Sequence, residues 1–145
     1  MVKLTNQILY YTKGLPASGK STWAKEKAKE EPNTVIVNRD KIREMLKGEY
    51  HLFPFGSSME KLVTDIEKSA IHNALVRGYN VIIDSTGFRL SKFNIEDYES
   101  EYNCIIKCID FTNISVKECI KRDKQRGHSV GKNVITGMYN KYLKL

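Results

Sequence analysis

One segment, GLPASGKS at residues 14–21, restricts the fold of this chain more than any other. It matches the pattern GxxxxGKS, in which glycines let the backbone curl so that successive N–H groups point at phosphate oxygens. A short β-rich run precedes it at residues 7–13, and good helix formers follow over residues 21–31. A chance glycine turn seldom has both neighbours, so the segment predicts a phosphate-binding loop between a strand and a helix.

Individual positions of this loop have expected contacts with ATP. Lys20 can reach the β- and γ-phosphates and is therefore also a catalytic candidate, while Ser21 can give its hydroxyl to Mg²⁺. The positive end of the following helix adds attraction for the anion. The residues expected to bind the nucleotide here are Gly14, Pro16, Ala17, Ser18, Gly19, Lys20, Ser21 and Thr22.

The rest of the chain alternates short apolar runs with helical patterns. Strands are predicted at residues 34–37, 81–84 and 104–111, and helices up to Gly48 and over residues 59–77, 91–101, 115–127 and 133–143. Parallel strands need crossover connections, and helices in those crossovers cover both faces of the sheet. Because 145 residues suit one domain, we predict a single α/β domain over residues 1–145 with a parallel sheet of four strands.

Two aspartates follow predicted strands, and the carboxyl ends of parallel strands meet at one edge of a sheet. Asp84 ends the apolar run VIID, where it could hold Mg²⁺ or simply open the turn that follows. Asp40 suits a general base that orients an acceptor hydroxyl and takes its proton. Alternatively, Asp40 is the N-cap of the helix predicted at residues 41–47.

Three arginines could offset phosphate charge. Arg43, three residues after Asp40, could pair with an anionic group on the acceptor, although a surface arginine would look the same in sequence. Arg122 and Arg126 are four residues apart on the predicted penultimate helix, so we expect them to share one face and reach the transferring phosphate. Alternatively, they only add favourable charge near a helix C-terminus.

Composition bears on other classes of protein. No apolar run approaches the roughly 20 residues that span a bilayer, and the start does not read as a signal peptide, so we expect a cytoplasmic protein with no membrane partner. Three cysteines without CxxC spacing and three scattered histidines suggest neither a disulfide framework nor a zinc site. The net charge of +7 lies mostly in residues 115–145, which would attract a polyanion, but ATP alone also needs cations.

Taken together, these segments resemble the kinase domain of phage polynucleotide 5′-kinases, members of the P-loop kinase superfamily. The similar stretches are GLPASGKSTWAKE, VNRDKIR, VIIDSTGF, CIKRDKQRG and MYNKYLKL, which are spread over nearly all of the chain. The resemblance implies a P-loop kinase fold with a helical lid, ATP and Mg²⁺ as cofactors, and a tunnel that admits the 5′-hydroxyl end of single-stranded DNA or RNA. It also implies end repair, in the host-cell cytoplasm if a phage encodes the protein.

The resemblance further implies roles for individual residues. Asp40 would be the general base and Arg43 a ligand of the acceptor's 3′-phosphate. Arg126, with Arg122 beside it, would act on the donor phosphates, and Thr86 would contact the acceptor. The family's Ser-Asp-Thr-Asn after the third strand is replaced here by DSTG at residues 84–87, so the carboxylate is displaced by one position and the asparagine is absent.

Two other functions stay open at this point. The same loop, base and arginines serve many acceptors, so the chain could phosphorylate a nucleoside, sugar or antibiotic. A non-catalytic nucleotide-binding module would need the loop but neither Asp40 nor the lid arginines. The 3′-phosphatase domain that accompanies some members of the family is not expected in this chain, and the sequence leaves open whether it forms a homo-oligomer.

Overall fold

The computed structural model describes residues 6–54, 58–88, 95–127 and 129–145. A short 3₁₀ turn, Tyr50–Leu52, follows the second helix, and a π-helical turn, Tyr139–Leu143, continues the last one. In chain order, the strands and helices are β1 (Ile8–Lys13), α1 (Lys20–Glu30), β2 (Thr34–Asn38), α2 (Arg39–Lys47), α3 (Met59–Val76), β3 (Asn80–Asp84), α4 (Ile95–Tyr102), β4 (Ile105–Asp110), α5 (Val116–Gln125) and α6 (Lys132–Met138).

The four strands form one parallel sheet in the order β2-β3-β1-β4. The predicted α/β fold with four parallel strands is therefore confirmed. Because all four strands point the same way, the segments that follow β2, β3 and β1 leave the sheet side by side at one edge. The register pairs Asn38 with Asp84 at the ends of β2 and β3, which brings two polar side chains together at that edge.

Side chains alternate between the two faces of the sheet, as the period of a β-strand requires. Leu9, Val81 and Ile83 pack with the buried residues of α3, whereas Tyr10 and Ile82 pack on the opposite face with Ala24 of α1. Burial of every residue from Val81 to Asp84 agrees with the prediction that this strand is central and covered on both sides. The sheet thus carries helices on both faces.

A third apolar cluster lies beside the sheet and joins the phosphate-binding loop to the C-terminal helices. Leu15 of the loop is 1% exposed and packs with Phe88, Cys119 and Ile135. The ring of Phe88 also stacks on Tyr142, with ring centroids 4.7 Å apart. Burial of this loop side chain fixes α5 and α6 next to the nucleotide-binding loop.

Some predicted boundaries differ from the structure by one or two residues. The penultimate helix ends at Gln125 rather than at Gly127, and Arg126 has an extended backbone. The last helix widens into a π-helical turn after Met138, and this turn ends at Leu143, where the prediction placed the end of the helix. The start of the helix predicted at residues 91–101 lies outside the described residues, and its described part is α4.

The cysteines and histidines occupy ordinary structural positions where they are described. Cys104 and Cys119 are buried free thiols, while Cys108 is exposed on β4, one of the two edge strands of the described sheet. His72 shares a hydrogen bond with the Tyr102 hydroxyl (2.6 Å), and His128 lies outside the described residues. Over the described ranges, no helix combines the length and the apolar character that a membrane span requires.

Candidate active site

The loop between β1 and α1 has the curled backbone that phosphate binding requires. Ala17 and Gly19 both have left-handed conformations, with φ of 65° and 108°. Gly14 passes so close to its neighbours that a Cβ there would lie 2.8 Å from Ser18 Oγ and 2.9 Å from Phe111 Cβ. A side chain at Gly14 would therefore push the loop away from the sheet.

The segment after β3 supports this loop through its backbone. The Gly14 N–H donates to the Thr86 carbonyl oxygen (2.9 Å), and Thr12 Oγ1 donates to the Ser85 carbonyl oxygen (2.8 Å). Gly87 has φ of 76°, and a Cβ there would overlap the Thr12 carbonyl oxygen. Only glycine fits this position without strain, which agrees with the absence of the family's asparagine from residues 84–87.

Lys20 lies inside the loop rather than on its surface. Its side chain is buried, and Nζ donates to the Leu15 carbonyl oxygen (2.5 Å) and to Ser18 Oγ (3.4 Å). Burial lowers the pKa of the Lys20 ammonium to about 8, while the nearby negative charges of Asp84 and Asp40 oppose that shift. The Lys20 ammonium thus lies between the backbone of the loop and two carboxylates, where it could bind phosphate oxygens while the carboxylates serve a metal ion.

Asp84 links the loop to β2 at the edge of the sheet. It is 5% exposed, and its Oδ2 accepts hydrogen bonds from Ser21 Oγ (2.8 Å) and Asn38 Nδ2 (2.9 Å). A hydroxyl and a carboxylate within 3 Å are hard oxygen donors of the kind that Mg²⁺ prefers, so these residues fit a magnesium ion that also binds phosphate oxygens. Within the described residues, His, Cys, Asp and Glu side chains form no cluster of three or more that could hold a metal by themselves.

The N-cap of α2 is Asn38, not Asp40. Asn38 Oδ1 accepts from the Lys41 N–H (2.9 Å), which satisfies one of the free donors at the start of the helix. The alternative that Asp40 is the cap is therefore wrong, and its carboxylate is available for other contacts. Sequence reasoning missed the double role of Asn38, because the role depends on the register between β2 and β3.

Asp40 and Arg43 form a close pair on α2. Arg43 Nη1 donates to Asp40 Oδ1 (2.6 Å), and Arg43 also donates through Nε and Nη2 to the two carboxylate oxygens of Glu60 (both 3.1 Å). The Arg43 guanidinium lies over the Phe53 ring at 5.7 Å. The Asp40 side chain is 45% exposed, whereas that of Arg43 is 14% exposed. The carboxylate of Asp40 therefore faces solvent, while the guanidinium of Arg43 is mostly buried against Glu60 and Phe53.

Arg39 extends this charged network along α3. It donates to Thr64 Oγ1 (3.1 Å), Glu67 Oε1 (3.0 Å) and Glu60 Oε2 (2.9 Å). Glu60 therefore receives hydrogen bonds from two arginines of α2. Neither Glu60 nor Arg39 was singled out in sequence, where an exposed helix face would show the same charged residues.

A buried aspartate organises the segment between α5 and α6. Asp123 is 1% exposed and accepts from Arg126 Nε (2.8 Å), Ser129 Oγ (2.5 Å) and the Val130 and Gly131 N–H groups. Burial alone would raise the pKa of Asp123, but these hydrogen bonds outweigh it and lower the pKa to about 2. The Asp123 carboxylate thus stays ionised and ties Arg126 to this turn.

The two lid arginines do not share a helix face as predicted, because Arg126 lies beyond the end of α5. The bonds from Asp123 to residues 129–131 draw the chain out of the helix at this point. Arg122 remains on α5, pairs with Glu118 (3.0 Å) and donates to the Ser18 carbonyl oxygen (3.3 Å). It therefore contacts the nucleotide-binding loop directly.

Most of the candidate residues converge on the edge of the sheet. The charges of Asp84, Arg126 and Asp40 all act on Lys20, and Ser21 contacts Asp84 directly. Thr86 reaches the loop through its backbone carbonyl group, and Thr22 is exposed at the start of α1. Tyr50 also belongs to this region, since burial and then the charge of Asp40 raise the pKa of its hydroxyl.

This geometry agrees with what the chain is similar to. Residues 9–144 match the AAA domain family. The chain is 30% identical over 139 residues to an L-seryl-tRNA(Sec) kinase of Methanococcus maripaludis, with 89% of this chain and 50% of that protein covered. It therefore spans about half the length of that curated relative.

Two solved structures of an RNA repair complex contain similar chains. A chain in the structure of the Pnkp1/Rnl/Hen1 RNA repair complex has a TM-score of 0.79 and 27% identity, covering 97% of this chain and 45% of that one. A chain in a second Pnkp1/Rnl/Hen1 structure has a TM-score of 0.68 and 29% identity, covering 89% and 42%. The fold and the nucleotide-binding loop are thus those of kinases with a phosphate-binding loop.

Proposed function

The chain belongs to the AAA domain family, here of the P-loop kinase type, and from that membership we propose that it is a polynucleotide 5′-hydroxyl kinase. It would transfer the γ-phosphate of ATP to the 5′-hydroxyl end of single-stranded DNA or RNA. The similarity to chains of an RNA repair complex supports nucleic acid as the acceptor.

The observation that carries this proposal is the Asp40–Arg43 pair beside the nucleotide-binding loop. A carboxylate that can accept a proton and a cation that can bind an anion lie 2.6 Å apart on one helix. An acceptor that has a hydroxyl and a phosphate a few bonds apart, as a nucleotide with a 3′-phosphate has, matches both groups at once. A sugar or antibiotic without phosphate would use only the carboxylate.

On the donor side, loop N–H groups and the Lys20 ammonium would bind the β- and γ-phosphates of ATP. Ser21 and Asp84 would hold Mg²⁺, directly or through its water, and when bound the ion offsets negative charge on the phosphate oxygens. Arg126, tied to the lid by Asp123, would donate to the oxygens of the transferring phosphoryl group, and Arg122 would cover the loop. These residues orient the donor and neutralise its charge.

On the acceptor side, Asp40 would accept a hydrogen bond from the 5′-hydroxyl and align its oxygen with the γ-phosphorus. As the new O–P bond forms, the bond from this phosphorus to the bridging oxygen of ADP breaks, and the hydroxyl proton passes to Asp40. Arg43 would meanwhile hold the 3′-phosphate of the same nucleotide, and Thr86 would lie near the acceptor. The products are ADP and a 5′-phosphorylated end.

Transfer of labelled phosphate tests this proposal. Terminally labelled ATP and Mg²⁺ are incubated with the protein and a short 5′-hydroxyl DNA or RNA strand, or with a nucleoside 3′-monophosphate, nucleoside, sugar or aminoglycoside at the same concentration. We expect label on the strands and on a nucleoside 3′-monophosphate, and little on the small alcohols. Label on a small alcohol but not on any strand would contradict the proposal.

A second candidate function has one specific observation in its favour. The relative named for L-seryl-tRNA(Sec) is 30% identical, so a seryl hydroxyl attached to tRNA is an alternative acceptor. The two acceptors are distinguished by the position of the label. Treatment with mild base hydrolyses the ester that joins serine to tRNA, so label on the seryl group would be released while label on a 5′ end would stay on the polynucleotide.

A further inference from the structure

The Arg43 guanidinium is held in one orientation from two sides. Its Nε and Nη2 donate to the two oxygens of Glu60, each at 3.1 Å, and its Cζ lies over the Phe53 ring, 5.7 Å from the ring centroid. A bidentate pair of this kind fixes the orientation of the guanidinium plane as well as its position. The remaining edge, Nη1, therefore points to Asp40, whose Oδ1 accepts at 2.6 Å.

The surroundings of Glu60 favour its charged form, which is the form that binds Arg43. Burial disfavours the charged form, but hydrogen bonds from Arg43 and Arg39 outweigh it and lower the pKa of Glu60. The residue lies in the first turn of α3, where the helix dipole also favours a negative charge. Two arginines of α2 thus bind a carboxylate that is itself anchored on a different helix.

We propose that Glu60 is a positioning residue that makes phosphoryl transfer depend on a phosphate in the acceptor. Glu60 holds Arg43 so that its Nη1 edge faces both Asp40 and the acceptor. A phosphate bound there competes with Asp40 for the same cation, which weakens the Asp40–Arg43 hydrogen bond. The Asp40 carboxylate then turns to the acceptor hydroxyl. This inference rests on the proposed 5′-kinase activity and on its assignment of Asp40 and Arg43.

This role of Glu60 predicts an effect on kcat, whereas simple binding of the acceptor by Arg43 predicts an effect on KM. If Arg43 only bound the acceptor, removal of the acceptor's phosphate would raise KM and leave kcat unchanged. In the arrangement around Glu60, an acceptor without phosphate leaves Asp40 paired with Arg43, so kcat falls as well. The ratio of kcat values for the two acceptors therefore reports whether the phosphate activates the base.

The experiment compares a nucleoside 3′-monophosphate with the corresponding nucleoside as acceptors at saturating ATP, using the full chain. For the wild type we expect kcat to be about 10- to 100-fold higher with the phosphorylated acceptor, as the loss of a charge-assisted hydrogen bond suggests. Glu60→Gln should remove most of this ratio, chiefly by lowering kcat for the phosphorylated acceptor, with KM for ATP unchanged. Glu60→Asp, which keeps the charge, should restore part of it.

Glu67→Gln is the matched control, because Glu67 pairs with Arg39 across the same α2–α3 contact but is not bonded to Arg43 in the network described above. It should keep the wild-type ratio of kcat values, even if it lowers the thermal midpoint as much as Glu60→Gln does. An unchanged ratio in Glu60→Gln, or an equal loss in both variants, would overturn the inference. Failure of the wild type to phosphorylate either acceptor, or any 5′-hydroxyl strand, would instead overturn the proposed function, and the inference with it.

Discussion

The donor side and the acceptor side of the candidate site are built in different ways. The donor side consists mainly of backbone, with Gly14 and Gly87 packed where a side chain would collide with neighbouring atoms. The acceptor side consists of charged side chains from two helices, with Arg43 and Arg39 of α2 bound to Glu60 of α3. Such a difference suggests that substitutions on the acceptor side change which hydroxyl reacts, whereas those on the donor side change whether the loop forms.

The largest expected effect is a loss of phosphate transfer without a loss of ATP binding, caused by a substitution on the acceptor side. Asp40→Ala should lower kcat by about 10²- to 10⁴-fold, because the acceptor hydroxyl would lose the general base that we propose for it. ATP affinity should change little, since the Asp40 carboxylate lies 45% exposed on α2 and makes no hydrogen bond to the loop in the contacts described above. An assay of phosphate transfer measures kcat, and a titration of the same protein sample with ATP measures its affinity for the nucleotide.

A variant that transferred phosphate at the wild-type rate would exclude Asp40 as the base. Asp65→Ala is a suitable control, since it removes an exposed carboxylate from α3 that is five positions after Glu60 and therefore on a different face of the helix. It should keep both the rate and the affinity. A non-catalytic nucleotide-binding module would show no phosphate transfer in any of these proteins.

The second largest expected effect is on stability, and it comes from a substitution on the donor side. Gly87→Ala should lower the free energy of unfolding by about 2–4 kcal/mol, because it adds a clash with the Thr12 carbonyl oxygen to a left-handed backbone. Gly78→Ala is its control, since Gly78 has φ of 91° but nothing within 4 Å of the added Cβ. That substitution should cost only about 1 kcal/mol. Urea unfolding of both variants measures the difference, and equal losses would show that the clash is relieved by a backbone shift.

These two sides also differ in how well the sequence predicts them. The loop is recognisable because its glycines and Lys20 lie within seven consecutive residues. The strands and helices are recognisable because local periodicity is strong where an element is buried on one side. The acceptor side depends on distant partners. Glu60 is 17 positions from Arg43, and Asn38 reaches Asp84 only through the register of two strands that are 46 positions apart.

The same reason explains the error at the lid. The spacing of Arg122 and Arg126 is helical, and the nearest local signal for a helix end, Gly127, lies beyond both arginines. The end is set by Asp123, whose carboxylate binds three groups from residues 129–131. A buried aspartate with this many partners is visible only in the folded chain.

A smaller effect concerns the pH dependence of ATP binding on the donor side. Lys20 must be protonated to attract phosphate, and burial lowers its pKa to about 8 in the free protein. The protonated fraction therefore falls as the pH rises through 8, so the Kd for ATP should increase by about tenfold between about pH 7 and pH 9. Isothermal titration calorimetry measures this, and Lys20→Met should bind weakly with no such rise. A wild-type Kd that stays constant over this range would place the pKa of Lys20 well above 8.

The smallest effect tests whether the loop conformation is strained. Ala17 has φ of 65°, which a residue with a Cβ adopts at a cost, so Ala17→Gly should raise the free energy of unfolding by up to about 1 kcal/mol. Ala24→Gly in α1 should have the opposite sign, because it removes a fully buried methyl group and loosens a helix. If Ala17→Gly were destabilising instead, the added freedom of the unfolded chain would outweigh the strain. The alanine would then help to preorganise the loop for phosphate, and the glycine variant should bind ATP more weakly.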